Sequence, residues 1–182
     1  MKAIIAFILL GLAMYGVSAM SIAAASQEKT AYKTAKDKAD SNYKAARAQC
    51  DAQKGNAKDV CVAEAKAAQA RAKADAEVSY KNNPNTVKKA RKDVADADYK
   101  VAKAKCDARE GNDKDVCLKQ AKAAKTAARE DAKTDKKVSD ARTEAREEKS
   151  EAAQKVAVEK CDALSGVSKD KCVASAKAKN PR

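Results

Sequence analysis

The sequence contains no histidine and no tryptophan, and it has few of the residues that fill a globular core. Beyond residue 25 it lacks isoleucine, phenylalanine and methionine, and keeps about a dozen valines, two leucines and four tyrosines as its large apolar residues. The hydrophobic 45% of the chain is mostly alanine, which favours helices strongly but buries little surface. We therefore expect an extended helical protein rather than a thick globular core.

These absences also argue against catalysis. There is no histidine, no glycine-rich phosphate-binding loop and no nucleophile elbow. Aspartates and glutamates are abundant, but no apolar stretch predicts a pocket that could shift their pKa values. A zinc site would need histidine or more closely spaced cysteines. The sequence therefore predicts no enzyme, no catalytic or cofactor-binding residues, no cofactor and no metal site.

The chain is strongly basic, with a formal charge of +13, but its 39 Lys and Arg are interspersed with 26 Asp and Glu. This pattern is typical of solvated helix faces with ion pairs one turn apart. The alternative is a surface that binds a polyanion. Nucleic acid is disfavoured, because the basic excess is lysine rather than arginine, is spread along the chain and lacks aromatic stacking partners.

The N-terminal segment has the pattern of a secretory signal peptide. Lys2 precedes an apolar stretch from Ile4 to Met14, and small residues follow. We predict a signal peptide over residues 1–25, cleaved after Ala25 or alternatively after Ala19. An uncleaved anchor is the other interpretation, and apart from it no segment of the sequence is expected to insert into a membrane. In both cases the chain is exported, so its six cysteines should pair.

A twelve-residue cassette occurs three times and contains every cysteine. The copies begin at Cys50, Cys106 and Cys161, at nearly equal intervals, and share seven identical positions. Helical sequence flanks each copy, so the chain is a repeat protein of helix–turn–helix hairpins. The predicted fold class is all-α, with three extended antiparallel hairpins at residues 26–81, 86–137 and 140–182, the last having a shortened second arm.

The boundaries between hairpins differ. Asn82-Asn83-Pro84-Asn85 breaks the helical pattern after the first hairpin, whereas Ser139-Asp140 stands at the equivalent point after the second. Ser or Asp capping would allow a break there. The alternative is one continuous helix from about residue 113 to 163.

Within the cassette, a glycine suits the left-handed residue that ends a helix, and Asn56 suits the N-cap of the next one. Two antiparallel arms would place the paired cysteines opposite each other at the neck of the hairpin. Each disulfide should contribute about 2–3 kcal/mol. The predicted turn glycines are Gly55, Gly111 and Gly166, and the predicted disulfides are Cys50–Cys61, Cys106–Cys117 and Cys161–Cys172.

An aspartate and a lysine recur in each cassette at positions that the helix dipole disfavours. Their joint recurrence predicts ion pairs across the neck, namely Asp51–Lys58, Asp107–Lys114 and Asp162–Lys169.

The arms show which faces should pack. The first arms carry a small-residue stripe that includes Tyr43 or Tyr99 and ends at the first cysteine, and we expect these tyrosines to lie across alanine stripes of the second arms. The expected alanine stripes are Ala65, Ala68 and Ala72, and Ala121, Ala124 and Ala128. A valine seam, Val87, Val94 and Val101, is left to meet a neighbouring hairpin or a second copy of the chain as a homo-oligomer.

The arms, for example residues 63–75, resemble the helical region of the TolA envelope protein in composition. A closer resemblance is to small exported bacterial proteins with the same Cys-Asp-Ala…Gly…Lys-Asp…Cys hairpin. It implies an envelope location and no defined activity.

The sequence thus predicts an exported periplasmic or cell-envelope protein that acts as a helical spacer, scaffold or stress-protective component, with a protein or an anionic envelope component as partner. The alternative function is a lysine-rich module that binds anionic envelope polymers or lipid surfaces. A hydrophilic protectant, disordered until bound, is a third option that the disulfide-closed turns disfavour.

Overall fold

A computed structural model describes the backbone of residues 18–179 and the side chains of residues 26–179. Within these residues every regular element is helical. The α-helices are α1 (Ser18–Gln49), α2 (Gly55–Tyr80), α3 (Pro84–Cys106), α4 (Gly111–Glu159) and α5 (Gly166–Lys179). Short 3₁₀ turns, Cys50–Ala52 and Lys160–Ala163, follow α1 and α4. The predicted signal peptide lies mostly outside the described residues, which include only the helical backbone of 18–25.

The helices form a series of antiparallel neighbours. In the described part of the chain, α1 packs on α2, α2 on α3, α3 on α4 and α4 on α5, and helices further apart in sequence do not pack on each other. A disulfide closes each of the three cassette turns. The predicted all-α fold of three disulfide-linked hairpins is confirmed. Because only neighbours touch, stability should be a sum of local interfaces, as in other repeat proteins.

The turn between α2 and α3 follows from its sequence. The side chain of Asn83 accepts a hydrogen bond of 2.9 Å from the backbone N–H of Thr86, which caps α3. Pro84 is the first residue of α3, where its missing N–H costs no intrahelical bond. The first and second hairpins therefore fold back on each other.

No such turn separates the second and third hairpins, because α4 continues through Ser139 and Asp140. Without a proline, the backbone N–H groups remain available to the helix. Asp140 pairs instead with Lys136 on the preceding turn. Of the two alternatives that the sequence left open, the structure has the continuous helix, which at 49 residues is about 70 Å long.

This continuous helix separates the third hairpin from the other two. The last ion pair between α3 and α4 joins Arg91 to Asp135, and the side chains of residues 140–149 are all exposed. From Asp135, 24 residues lead to the end of α4 at Glu159, or about 36 Å of helix. The turn of the third hairpin therefore lies far from the layer formed by α1, α2, α3 and the first part of α4, hereafter the α1–α4 layer.

The core consists of alanines and half-cystines. Its fully buried side chains include Cys50, Cys106 and Cys161, and the other buried hydrophobic residues of the described chain are all alanine. Small side chains let neighbouring helices approach closely, but each buries little area. The disulfides and the polar contacts between helices therefore carry an unusually large share of the stability.

The expected alanine stripes of the second arms are only partly correct. Ala65 and Ala121 are buried, but the next two members of each stripe, Ala68 and Ala72, and Ala124 and Ala128, are exposed. In α4 the half-buried positions that follow Ala121 are Lys125 and Arg129. Tyr99 accordingly lies against a lysine, with the Lys125 Nζ 4.9 Å from its ring centroid. Long basic side chains cover this surface because their aliphatic stems can pack while the charged end stays solvated.

The valine seam of α3 lies at the junction between hairpins. Ala90 within it is buried, and Val87, Val94 and Val101 are half-buried. Val87 and Val94 share a groove with Val78 of α2. This part of the seam therefore faces the neighbouring hairpin, and pairing of the seam with a second copy of the chain stays a prediction.

Candidate functional site

The three disulfide-closed turns, hereafter the stapled turns, are the most strongly repeated feature of the structure. The S–S bonds of Cys50–Cys61, Cys106–Cys117 and Cys161–Cys172 measure 1.95, 1.91 and 2.00 Å. Their Cα–Cα distances are 5.6, 5.6 and 5.7 Å, within the range of unstrained disulfides. The described residues include no free cysteine. Such a set of disulfides indicates an oxidising, exported environment.

The backbone of each stapled turn depends on its glycine. Gly55, Gly111 and Gly166 have φ of 58°, 54° and 56°, in the left-handed region. Each is the first residue of the second helix rather than the terminator of the first, because two or more non-helical residues precede it. A Cβ at these positions would meet no atom within 4 Å. The need for glycine is therefore conformational, not steric.

Asn56 does not cap α2 as the sequence suggested. The residue at the N-cap position is Lys54, which makes no side-chain capping bond. The Asn56 side-chain amide instead donates a hydrogen bond of 2.8 Å to the backbone carbonyl of Ala104, near the end of α3. This bond joins the first stapled turn to the second hairpin, so the asparagine serves packing between repeats.

The Asp–Lys pairs span the necks of all three hairpins. The Nζ–Oδ1 distance is 2.9 Å for Lys58–Asp51, 3.1 Å for Lys114–Asp107 and 2.8 Å for Lys169–Asp162. In the first two hairpins a second cation one helical turn earlier, Arg47 or Lys103, also contacts the aspartate. The aspartate thus links both arms beside the disulfide.

These contacts shift the titration of the first two neck aspartates. Hydrogen bonds from Lys58 and Arg47 lower the pKa of Asp51 from 3.8 to about 2. Hydrogen bonds from Lys103 and Lys114 likewise hold the pKa of Asp107 below its usual value. Both aspartates therefore stay charged to a lower pH than an aspartate without such partners.

A second polar cluster recurs midway along the first two hairpins, and sequence reasoning missed it. Asp40 of α1 accepts hydrogen bonds from Gln69 and Lys73 of α2, each at 2.5 Å. Asp96, at the equivalent position of α3, contacts Lys125 at 3.0 Å and Arg129 at 2.7 Å on α4. The repeat spacing was a detectable signal, because all three positions of the cluster recur at the same interval.

The mid-arm cluster is half-buried, so its charges must be compensated. Burial acts to raise the pKa of Asp96, but hydrogen bonds from Lys125 and Arg129 outweigh it and leave this pKa below its ordinary value. A hydrogen bond from Lys73 lowers the pKa of Asp40 in the same way. Each cluster thus joins one aspartate of a first arm to two successive helical turns of the second arm.

Ion pairs also join the first hairpin to the second. Arg71 of α2 pairs with Asp98 of α3, and Lys105 Nζ lies 2.7 Å from Glu64. Together with the Asn56–Ala104 bond, these contacts hold α2 and α3 along their length. At the far end of the first hairpin, the rings of Tyr32 and Tyr80 stack with their centroids 4.6 Å apart.

The described residues show neither a metal-binding constellation nor a membrane-spanning helix. No group of three or more Cys, His, Asp or Glu side chains between residues 26 and 179 is arranged to hold a metal ion. No helix in the described range is both long and apolar enough to cross a bilayer. Searches for similar proteins found no matching family model, curated protein or solved structure.

Proposed function

We propose that the chain is an exported structural protein that acts as a helical spacer or scaffold in the periplasm or cell envelope, without catalytic activity. The single observation that carries this proposal is the continuous helix α4. It holds the third hairpin away from the α1–α4 layer along a stretch, residues 140–149, in which every side chain is exposed. Polar side chains around the whole circumference are typical of helices that bridge separate units through solvent.

The charge pattern of this bridge supports the same role. Lys136–Asp140 and Lys155–Glu151 are ion pairs one turn apart on its two flanks. Such pairs stabilise helices that lack tertiary contacts. The stapled turns then stiffen the two ends that the bridge keeps apart.

A change in spacer length tests the proposal. Deleting residues 140–146 removes seven residues, or about 10 Å, and preserves the helical phase to within about 20°. Its matched control keeps the length but replaces Arg142, Arg146 and Glu147 with glutamine. In the native host lacking the gene, a spacer predicts that the control restores envelope integrity and that the deletion does not. Equal rescue by both variants would refute a role that depends on length.

A second candidate function is binding of anionic envelope polymers or lipid surfaces through lysines. The observation that favours it is the uneven charge of the helices. Helix α3 contains seven Lys and Arg but three Asp, and residues 160–179 contain five Lys but two Asp, whereas α4 is nearly balanced. Retention of the oxidised chain on an anionic matrix, lost at moderate salt, would support this function. Absence of retention at low salt would exclude it.

A further inference from the structure

The third stapled turn differs from the other two in the residues at its tip. Between the Cys-Asp-Ala and Lys-Asp segments, the first two cassettes have Gln-Lys-Gly-Asn-Ala and Arg-Glu-Gly-Asn-Asp, and the third has Leu-Ser-Gly-Val-Ser. Leu164 and Val167 thus replace polar or charged residues in an otherwise shared turn. They are 45% and 69% exposed, and Val167 is the most exposed large hydrophobic residue of the described chain.

The first stapled turn shows what this position does when a neighbour is present. Asn56, the equivalent of Val167, binds the backbone of the adjacent hairpin. The third hairpin has no adjacent hairpin, because α4 carries it away and α5 packs only on α4 and the short turn beside it. Two aliphatic side chains are therefore displayed at the far end of the described structure, on a turn held rigid by the Cys161–Cys172 disulfide.

Exposed lysines lie on both sides of this tip. Lys160 and Lys171 are exposed, and Lys171 replaces the valine of the first two cassettes. Lys169 lies close by and pairs with Asp162, and Lys177 and Lys179 follow on α5. Acidic residues are present as well, because Glu159, Asp162 and Asp170 match the three nearest lysines in number. The net positive charge of residues 159–179, five lysines against three acidic residues, therefore comes from Lys177 and Lys179. Of the cassettes, the third alone has an apolar tip, and it stands on a hairpin end with a positive excess.

We propose that the tip of the third hairpin docks on an anionic lipid surface. Leu164 and Val167 enter the boundary between headgroups and acyl chains, and the surrounding lysines contact the negative headgroups. Two partly exposed aliphatic residues bury too little area for a stable protein–protein interface. The positive excess of residues 159–179 further disfavours tip-to-tip pairing of two copies, whereas it complements a negative membrane surface. This inference rests on the second candidate function and deepens it by naming the surface and the residues that enter it.

The absence of tryptophan from the chain provides a direct test. Leu164→Trp introduces a single fluorophore at the tip, and Arg109→Trp introduces it at the equivalent position of the second cassette. The oxidised full chain is titrated with vesicles of phosphatidylcholine containing 30 mol% phosphatidylglycerol, and with pure phosphatidylcholine vesicles. We expect a blue shift for Leu164→Trp with the anionic vesicles only, and none for Arg109→Trp.

Affinity is measured with a second variant, Leu164→Gln/Val167→Asn, which gives the third turn the residues that the first turn already has and so should preserve its fold. Vesicle binding should weaken roughly 10- to 100-fold. Docking through the tip would be refuted if the double variant bound with unchanged affinity, Leu164→Trp showed no blue shift and salt abolished the binding. The lysine-based function would still stand in that case. A blue shift without vesicles that grows with protein concentration would overturn the proposal in favour of a second copy. No binding to anionic vesicles or polymers would refute both.

Discussion

Removal of the third disulfide should release α5 while leaving the rest of the chain folded. The change is Cys161→Ala/Cys172→Ala. The two residues are 11 apart in sequence, so the disulfide closes a loop of twelve residues. The loop-closure entropy of the unfolded chain then corresponds to about 2.8 kcal/mol at 25 °C. Removing this contribution of the disulfide changes the local folding equilibrium of α5 roughly 100-fold.

Helix α5 has little else to hold it in place. It has 14 residues, and Ala176 is its single buried residue. Isolated helices of that length are marginal in water. Within the described chain it packs only on α4 and the adjoining 3₁₀ turn. The loss of the loop-closure contribution should therefore exceed what the remaining α4–α5 interface supplies.

The second hairpin offers a matched control, Cys106→Ala/Cys117→Ala, in which the closed loop has the same length. Both of its arms keep other partners, because α3 also packs on α2, and the Asp96 cluster still joins α3 to α4. These helices should lose some stability but remain folded.

Hydrogen exchange measured by mass spectrometry distinguishes the two cases. In the variant of the third hairpin, amides of α5 should exchange roughly 100-fold faster, while those of α1 to α3 stay unchanged. In the control, α3 and α4 should keep most of their protection. If α5 retained full protection without its disulfide, alanine packing alone would hold it in place. The disulfides of the stapled turns would then not be a main source of stability.

Other perturbations give further expectations. Asp96→Asn should destabilise the second hairpin by about 1 kcal/mol by chemical denaturation, against less than about 0.5 kcal/mol for the exposed Asp131→Asn. Gly111→Ala should cost about 1 kcal/mol because φ is positive there, and Gly111→Asn should cost less, which thermal melts of both would show. The pKa of Asp51 falls from 3.8 to about 2 on folding, so its stabilising contribution is complete above pH 4 and is lost as pH falls through 2. Melting temperatures should therefore decline between pH 4 and 2 with the disulfides intact, and a constant melting temperature over that range would contradict the ion-pair assignment.

The sequence was sufficient to predict the features that depend on a single repeat. The cassette recurs with the same cysteines, so a single pairing is consistent with all three copies, and the structure has that pairing. The left-handed glycines follow from the same short stretch. Each depends on contacts within a single cassette, where spacing alone limits the geometry.

Features that depend on how one helix lies against another were not predictable in this way. Asn56 has the sequence context of a helix cap, but the position of the second hairpin gives it a different partner, Ala104. Alanine is spread over several faces of α4, so periodicity did not show that the face opposite Tyr99 carries Lys125. At Ser139 the free energy of capping a helix end differs little from that of continuing the helix. The sequence was therefore consistent with both a break and a continuous helix.

The most direct test of the spacer is a distance across the continuous helix. Spin labels on unnatural amino acids at Thr126 and Ala153, both exposed, leave the disulfides intact. These sites lie on either side of the 139–140 junction, and the rise of an unbroken helix separates them by about 40 Å. Double electron–electron resonance should give one narrow distribution centred on that helical distance. A distribution centred at half of it or less would mean that the third hairpin folds back on the second, and would contradict a spacer role for α4.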